Sequence, residues 1–437
     1  MQTLTRDIGL PGAVVIGLGS ILGTGVFVSI ALAAEISGPA ILPAVLLAGI
    51  MASLNGFSSA ALAAAHPVSG GAYEYGYTFV SPAVGFTAGW MFLVAKSASA
   101  ATAALGFAGY LWSAVGSRVG LELGDYRAPA STRLTVFTAI VLIAVLTALV
   151  SFGVRRSNRA NAAIVAVTVA TLVFFVAVSF GPAVRYAPEA FTRFMPSEGL
   201  PALLHATALV FVAFTGYGRI ATLGEEVRDP GRTIPRAVVV TLSVTVVLYA
   251  LIAFTGFAAV PPVEGGLQVS DEAVAPLAAR AAAIVGRPGL IVVSLGAITA
   301  MAGVLLNLIL GLSRVVLAMG RRGDLPALFN RLDRQGRTPI FAVWLVGFTV
   351  AALALLGDVR TTWSFSAFTV LIYYAITNLA ALRIPEQRRI VPNWVPALGL
   401  VGCLAPAFFV EPLVWMSGLG LVAVGLIWHF VRAPYRR

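Results

Sequence analysis

Gly19-Ser20-Ile21-Leu22-Gly23-Thr24-Gly25-Val26-Phe27 interrupts the first long apolar run of the chain with glycine at its middle. A second apolar run, much further along, is broken the same way, as Phe214-Thr215-Gly216-Tyr217-Gly218 followed by Arg219. Unwound backbone inside a bilayer is tolerated only where it is buried in protein or faces a polar cavity. Its freed amides and carbonyls then become ligands. Two glycine-broken helices in corresponding parts of a chain therefore point to a membrane transporter.

Composition agrees. Of 437 residues, 59% are hydrophobic and 11% charged, and the mean hydropathy is +0.93. That is more apolar side chain than a soluble domain can cover. A helix crosses a bilayer in about 20 apolar residues. Runs of that kind lie near 10–33, 39–65, 83–114, 134–153, 160–181, 201–224, 237–260, 288–318, 339–356, 364–382, 393–410 and 412–431, which makes about twelve transmembrane helices in an all-α integral membrane protein.

With the N-terminus in the cytoplasm, 19 of the 29 basic residues fall on that side and 8 on the other. An even number of spans then places both termini in the cytoplasm. The expected location is the plasma (cytoplasmic or inner) membrane, as a multi-pass protein. The net charge of +11 is read as topology and contact with anionic lipid, so no nucleic-acid partner is expected. Cys403 is the only cysteine and lies in an apolar span, so neither an intramolecular disulfide nor a disulfide-linked accessory subunit is expected. His66, His205 and His429 are far apart, and phosphate loops, serine elbows and paired catalytic carboxylates are missing from the sequence. The chain is read as no enzyme, with no metal and no cofactor.

The whole chain, 1–437, reads as a single membrane domain with internal duplication. Residues 10–181 form the first five-helix repeat, 201–382 the second, and 393–431 the two C-terminal helices. Each repeat opens on a broken helix and has a long third member. Five helices per repeat make the halves inverted. The connections after the second and seventh spans, His66 to Ser81 and Pro261 to Arg287, are expected to hold short interfacial helices, the better candidate being Glu272 to Val285.

Four motifs together resemble the amino acid, polyamine and organocation superfamily of transporters, with similarity to its cationic and L-type members. They are the first break, Pro67-Val68-Ser69-Gly70-Gly71-Ala72-Tyr73, the run Phe214-Thr215-Gly216-Tyr217 leading to Glu225-Glu226-Val227-Arg228-Asp229-Pro230, and Arg321-Arg322-Gly323-Asp324-Leu325-Pro326. The resemblance implies the inverted-repeat fold of the bacterial leucine transporter, with alternating access to a site at the membrane centre.

An amino-acid zwitterion needs donors for its carboxylate and acceptors for its ammonium. The amides of Gly23, Thr24 and Gly25 open the second half of the first broken helix, whose positive dipole end suits the carboxylate. Carbonyls near Ile21, Val212 and Thr215 face the other polarity and suit the ammonium. Ser20 and Gly216 complete the two breaks. Gly218 stands where relatives that carry cationic substrates often have an acid, so a neutral substrate is expected. Ala95, Ser97, Ala98, Ala213, Asn307 and Leu308 are expected to face the pocket, Asn307 as a hydrogen-bonding or a packing residue.

Lys96 is the only lysine and lies mid-span. Charge at that depth costs at least roughly 2.5 kcal/mol and faces a cavity or a partner. Two roles are open: taking up and releasing a proton, which is the candidate coupling ion, or structural and gating use. By resemblance, Thr168 takes the place of a coupling lysine found in some relatives, and Ala302 and Gly303 replace sodium-binding hydroxyls, so exchange is an alternative to symport. Arg219 is read as a gating residue or as a contact for an acidic substrate. Glu225 and Glu226 are read as gate or loop anchors. The expected function is secondary active transport of small or branched neutral L-amino acids, by exchange or proton-linked. A non-transporting sensor and a permease for an acidic amino acid or an organic amine are the alternatives.

Overall fold

The computed structural model describes residues 8–66, 68, 70–115, 129–153, 158–192, 199–221, 227–259, 275–333 and 338–432. The helices are α1 (Leu10–Ile21), α2 (Ile30–Ser37), α3 (Ile41–Ala65), α4 (Ala72–Phe79), α5 (Pro82–Val115), α6 (Pro129–Ser151), α7 (Asn158–Ala190) and α8 (Leu200–Phe214). They continue with α9 (Gly218–Ala221), α10 (Pro230–Ala258), α11 (Pro276–Val285), α12 (Arg287–Arg321), α13 (Ile340–Ala354), α14 (Val359–Leu382), α15 (Trp394–Ala407) and α16 (Pro412–Arg432).

Among the described residues nine helical stretches are long and apolar enough to cross a bilayer, one of them Gly25–Ala65. That stretch divides at Gly38, whose φ of 53° ends α2. With the shorter apolar helices α13 and α15, the described residues hold the twelve passes expected from the sequence. Both connections expected to hold interfacial helices do so, as α4 and α11. Phe137, Val141, Val145 and Leu149 recur every fourth residue on α6 and are exposed, which is the stripe a lipid-facing helix presents.

The two halves show their relation in which helices touch. Moving five passes along the chain carries the main packed pairs of the first ten passes onto other packed pairs. Thus α1 against α10 becomes α8 against α3; α5 against α6 becomes α12 against α13; α7 against α12 becomes α14 against α5. The short helices follow the same rule, α4 on α5 matching α11 on α12. This exchange is what a 5+5 repeat requires of its contacts, and α15 and α16 lie outside it.

Two helices run past their apolar runs. α10 starts at Pro230, a residue suited to a first helical turn. α7 continues to Ala190, where Phe191 packs on Phe254 and Phe257 of α10 at 6.0 and 5.3 Å between ring centroids. Hydropathy marks the depth of the bilayer, whereas helices end where capping and packing end them.

Several elements meet on one face. Ile8 lies beside Val227, with the Arg228 amide donating to the Ile8 carbonyl at 2.9 Å. Tyr73 and Tyr77 of α4 donate to the carboxylate of Asp324, just after α12, at 2.5 and 2.7 Å. Trp428 near the end of α16 donates to the Asp324 carbonyl at 2.8 Å. The cavity described below is lined by both α4 and α9 residues, so the start and the end of the described chain share this α4 face.

Candidate functional site

The breaks are built from backbone pressed on backbone. α1 ends at Ile21, Leu22 is extended (φ −76°, ψ 94°), and the chain resumes as a π-helical turn over Gly25–Ser29 before α2. In the other half, α8 passes through a 3-10 turn, Thr215–Tyr217, into α9. A Cβ at Gly25 would lie 2.6 Å from Cα of Ala213, and one at Gly216 would fall on the carbonyl group of Ser20 and 2.5 Å from the Ile21 nitrogen. Glycine at both positions lets the irregular turns of the two helices touch.

Two adjoining cavities lie at this junction. The smaller, about 50 Å³, is bordered by Gly23, Thr24 and Gly25 from the first break and by Val212, Ala213 and Thr215 from the second. The larger, about 310 Å³, runs from the breaks to Gly70 and Tyr73 at α4 and to Arg314 and Ala318 on α12. Ser20, Lys96, Thr215, Gly216, Val304 and Leu308 border both and form the waist between them. The Thr24 hydroxyl is buried with no hydrogen-bond partner among the described residues. The amides of Gly23, Thr24 and Gly25 sit at a helix start, where donors lack intrahelical acceptors. The small cavity therefore offers donors to an anionic group.

The carbonyl side is supported by tyrosines. Tyr249 on α10 donates to Ile21 O at 3.1 Å and to Ala213 O at 3.3 Å, bridging the two breaks. Tyr374 on α14 donates to Thr215 O at 3.1 Å, and the Thr215 hydroxyl donates to Val212 O at 2.7 Å. The Val212 carbonyl also accepts the Thr215 amide, and the Thr215 carbonyl the Gly218 amide, whereas the Ile21 carbonyl, with its bond from Tyr249, keeps a second lone pair for a ligand. Lys96 reaches across from α5 and donates to Thr215 Oγ1 at 2.9 Å. Tyr249→Phe leaves two buried carbonyls short of a donor, and a loss of about 1–3 kcal/mol is expected, read as a lower unfolding midpoint of the purified protein.

On the face opposite α4 the path is sealed. Trp363 Nε1 donates to Leu209 O at 3.0 Å, Thr102 bonds Thr362 at 2.8 Å, and Ser99 bonds Ser366 at 2.7 Å. Tyr110 donates to Phe27 O at 2.8 Å. α11 packs over the π-helical turn on this side. The cavity thus opens toward α4 and is shut at the other end.

At the open end, Arg322 pairs with Glu74 at 2.8 Å and lies 4.3 Å from the Tyr77 ring centre. Burial disfavours the Arg322 charge, but the Glu74 carboxylate outweighs it and raises its pKa. Burial, and then the bond to the Asp324 carboxylate, push the Tyr73 phenol well above the ordinary tyrosine range.

All eleven residues expected to touch substrate border one or both cavities: Ser20, Ile21, Gly23, Thr24, Gly25, Lys96, Val212, Thr215, Gly216, Gly218 and Asn307. A Cβ at Gly218 would lie 2.9 Å from the Tyr374 hydroxyl, so a larger residue there displaces that tyrosine. Arg219 borders the large cavity beside Gly311. Thr168 borders neither cavity, its hydroxyl turned back onto Ile164 O at 2.8 Å. Glu225 and Glu226 lie outside the described residues. On α5 the bordering face is Phe92, Lys96 and Ser99, one helical stripe, in place of the expected Ala95, Ser97 and Ala98.

Tyr249, Tyr374 and Trp363 are not singled out by the sequence. The available signal was a polar tip in an otherwise apolar span, since a buried tyrosine hydroxyl or tryptophan N–H ordinarily finds a partner.

Residues 8–433 match the family described as amino acid permease. An uncharacterized transporter of Mycobacterium tuberculosis is 38% identical over 430 residues, covering 98% of this chain and 92% of the relative. A methylthioribose transporter of Bacillus subtilis is 29% identical over 448 aligned positions, with 98% and 94% covered. A branched-chain amino acid permease of the same organism is 26% identical over 455, with 98% and 93% covered. The chain, a multi-pass membrane protein with two broken helices meeting at a one-sided cavity, belongs to the amino acid permease family of the amino acid, polyamine and organocation superfamily.

Proposed function

We propose that this permease carries small or branched neutral L-amino acids by alternating access, in exchange or proton-linked transport. Residues 10–181 and 201–382 are its inverted repeats, and 393–431 its added helices. The observation that carries the reading is the junction of the breaks: a donor-rich small cavity, a set of carbonyls beside it, and one open path. In this reading the substrate carboxylate sits against the Gly23, Thr24 and Gly25 amides and the Thr24 hydroxyl. The ammonium sits against the Ile21, Val212 and Thr215 carbonyls. Val304 and Leu308 at the waist suit an aliphatic side chain. The likeness to a branched-chain permease supports the same class.

The α4 face is assigned to the cytoplasm of a plasma membrane, with both termini there. The basic residues favour that side, and the structure is then the inward-open state. Arg219 gates the mouth. The bond from Lys96 to Thr215 supports a structural use of Lys96, tying α5 to the second break. In that role Lys96→Ala lowers uptake equally with and without a proton gradient. A loss confined to gradient-driven uptake would identify Lys96 as the proton carrier instead.

The direct test is counterflow in proteoliposomes loaded with unlabelled amino acids and given labelled leucine or alanine without an ion gradient. Transient accumulation competed by neutral amino acids is expected. Accumulation of lysine, glutamate or an amine in their place would overturn the substrate class, and a binding protein that moves no label would be a sensor.

A further inference from the structure

We infer that Lys96 is a charge filter, so that the site rejects amino acids with a cationic side chain and accepts those whose side chain is neutral or anionic. The inference deepens the proposed transport of amino acids and rests on it. Among the described residues Lys96 is the one basic residue bordering both cavities, and it stands at their waist. Its ammonium has three donors, of which the structure engages one, on Thr215 Oγ1 at 2.9 Å. The other two are available to whatever occupies the waist.

The charges around it have one sign. Arg219 and Arg314 border the large cavity as well, and among the described residues no aspartate or glutamate borders either cavity. Two carboxylates of the α4 face are engaged elsewhere, Glu74 by Arg322 and Asp324 by Tyr73 and Tyr77. A substrate carboxylate at the Gly23–Gly25 amides benefits from this field. A second positive charge on the side chain does not. Two like charges about 6 Å apart, in surroundings of effective dielectric about 20, cost roughly a hundredfold in affinity.

An apolar pocket makes a different prediction, because it excludes side-chain charge of either sign. Two near-isosteric pairs separate the alternatives: lysine against norleucine, and glutamate against glutamine, each as a competitor of labelled-leucine counterflow. The filter predicts lysine roughly a hundredfold weaker than norleucine, with glutamate at least as strong as glutamine. Lys96→Met is expected to bring lysine to within about threefold of norleucine, and Lys96→Arg to keep the wild-type ratio.

Should Lys96→Met be inactive, the four competitors in the wild type and in Lys96→Arg still decide. Equal competition by lysine and norleucine overturns the filter, as does rejection of glutamate along with lysine, or a lysine ratio unmoved in an active Lys96→Met protein. Absence of counterflow with every label defeats the underlying transport reading instead, and is told apart by that.

Discussion

Gly216→Val is expected to abolish counterflow while the protein still inserts and purifies. The reason is local and steric. Its Cβ would fall on the Ser20 carbonyl group and 2.5 Å from the Ile21 nitrogen, and neither is the yielding end of a flexible side chain. One broken helix must therefore move off the other, opening the waist and shifting the carbonyls of Ile21, Val212 and Thr215 relative to the Gly23–Gly25 amides. Misplacement of about 1 Å at a site of this kind costs about a hundredfold in rate. Gly216→Ala introduces the same Cβ and is expected to be nearly as severe. Gly231, which has nothing within 4 Å of an added Cβ, is the matched control, and Gly231→Ala is expected to keep wild-type rates. Wild-type counterflow in Gly216→Val would remove the close approach of the breaks from the account.

Asp324→Ala has the second large effect, on stability. Its carboxylate is fully buried and accepts hydrogen bonds from both Tyr73 and Tyr77, so α4 is tied to the turn that follows α12. Hydrogen bonds to a charged group are worth about 1.5–3 kcal/mol each, and truncation leaves two phenols without their acceptor. A loss of about 3 kcal/mol is expected, seen as an unfolding midpoint several degrees lower in detergent. Asp324→Asn keeps an acceptor and should fall between the two. Arg322→Ala, by contrast, removes a pair with Glu74 in which the arginine side chain is 37% exposed, and solvent screening holds its cost to about 1 kcal/mol or less. If Arg322→Ala proves the more damaging, the mouth is held by its ion pair, and Asp324 is secondary.

The contrast between these two sites explains what could be read from the sequence. Gly23, Gly25 and Gly216 announce themselves because glycines clustered with serine or threonine in an apolar run signal a broken helix, whereas a lone glycine there more often serves helix packing, and the break places the ligand groups within one turn. The twelve passes follow from hydropathy for the same one-dimensional reason. Asp324 and Tyr73 each stood inside a recognisable motif, yet they are 251 residues apart, and nothing local to either names the other. Tyr249 is similar: its value lies in reaching two carbonyls on two other helices. On α5 the sequence points to Lys96 together with Ala95, Ser97 and Ala98, and of these Lys96 alone borders the cavities. A helix rotates about 100° per residue, so one step of register replaces Phe92, Lys96 and Ser99 with Ala95 and Ala98. Hydropathy is blind to that rotation when every candidate face is small and apolar.

The central claim is that substrate binds at the waist between the two breaks. Cys403 is the only cysteine and is buried, so Asn307→Cys in a Cys403→Ser chain gives a single thiol bordering the large cavity. The measurement is the rate at which a small membrane-permeant thiol reagent labels it, with and without leucine. At ten times the leucine Kd, about one site in eleven is free, and labelling is predicted to slow about tenfold. An unchanged labelling rate, in a protein that still performs leucine counterflow, would place the substrate elsewhere and contradict the account.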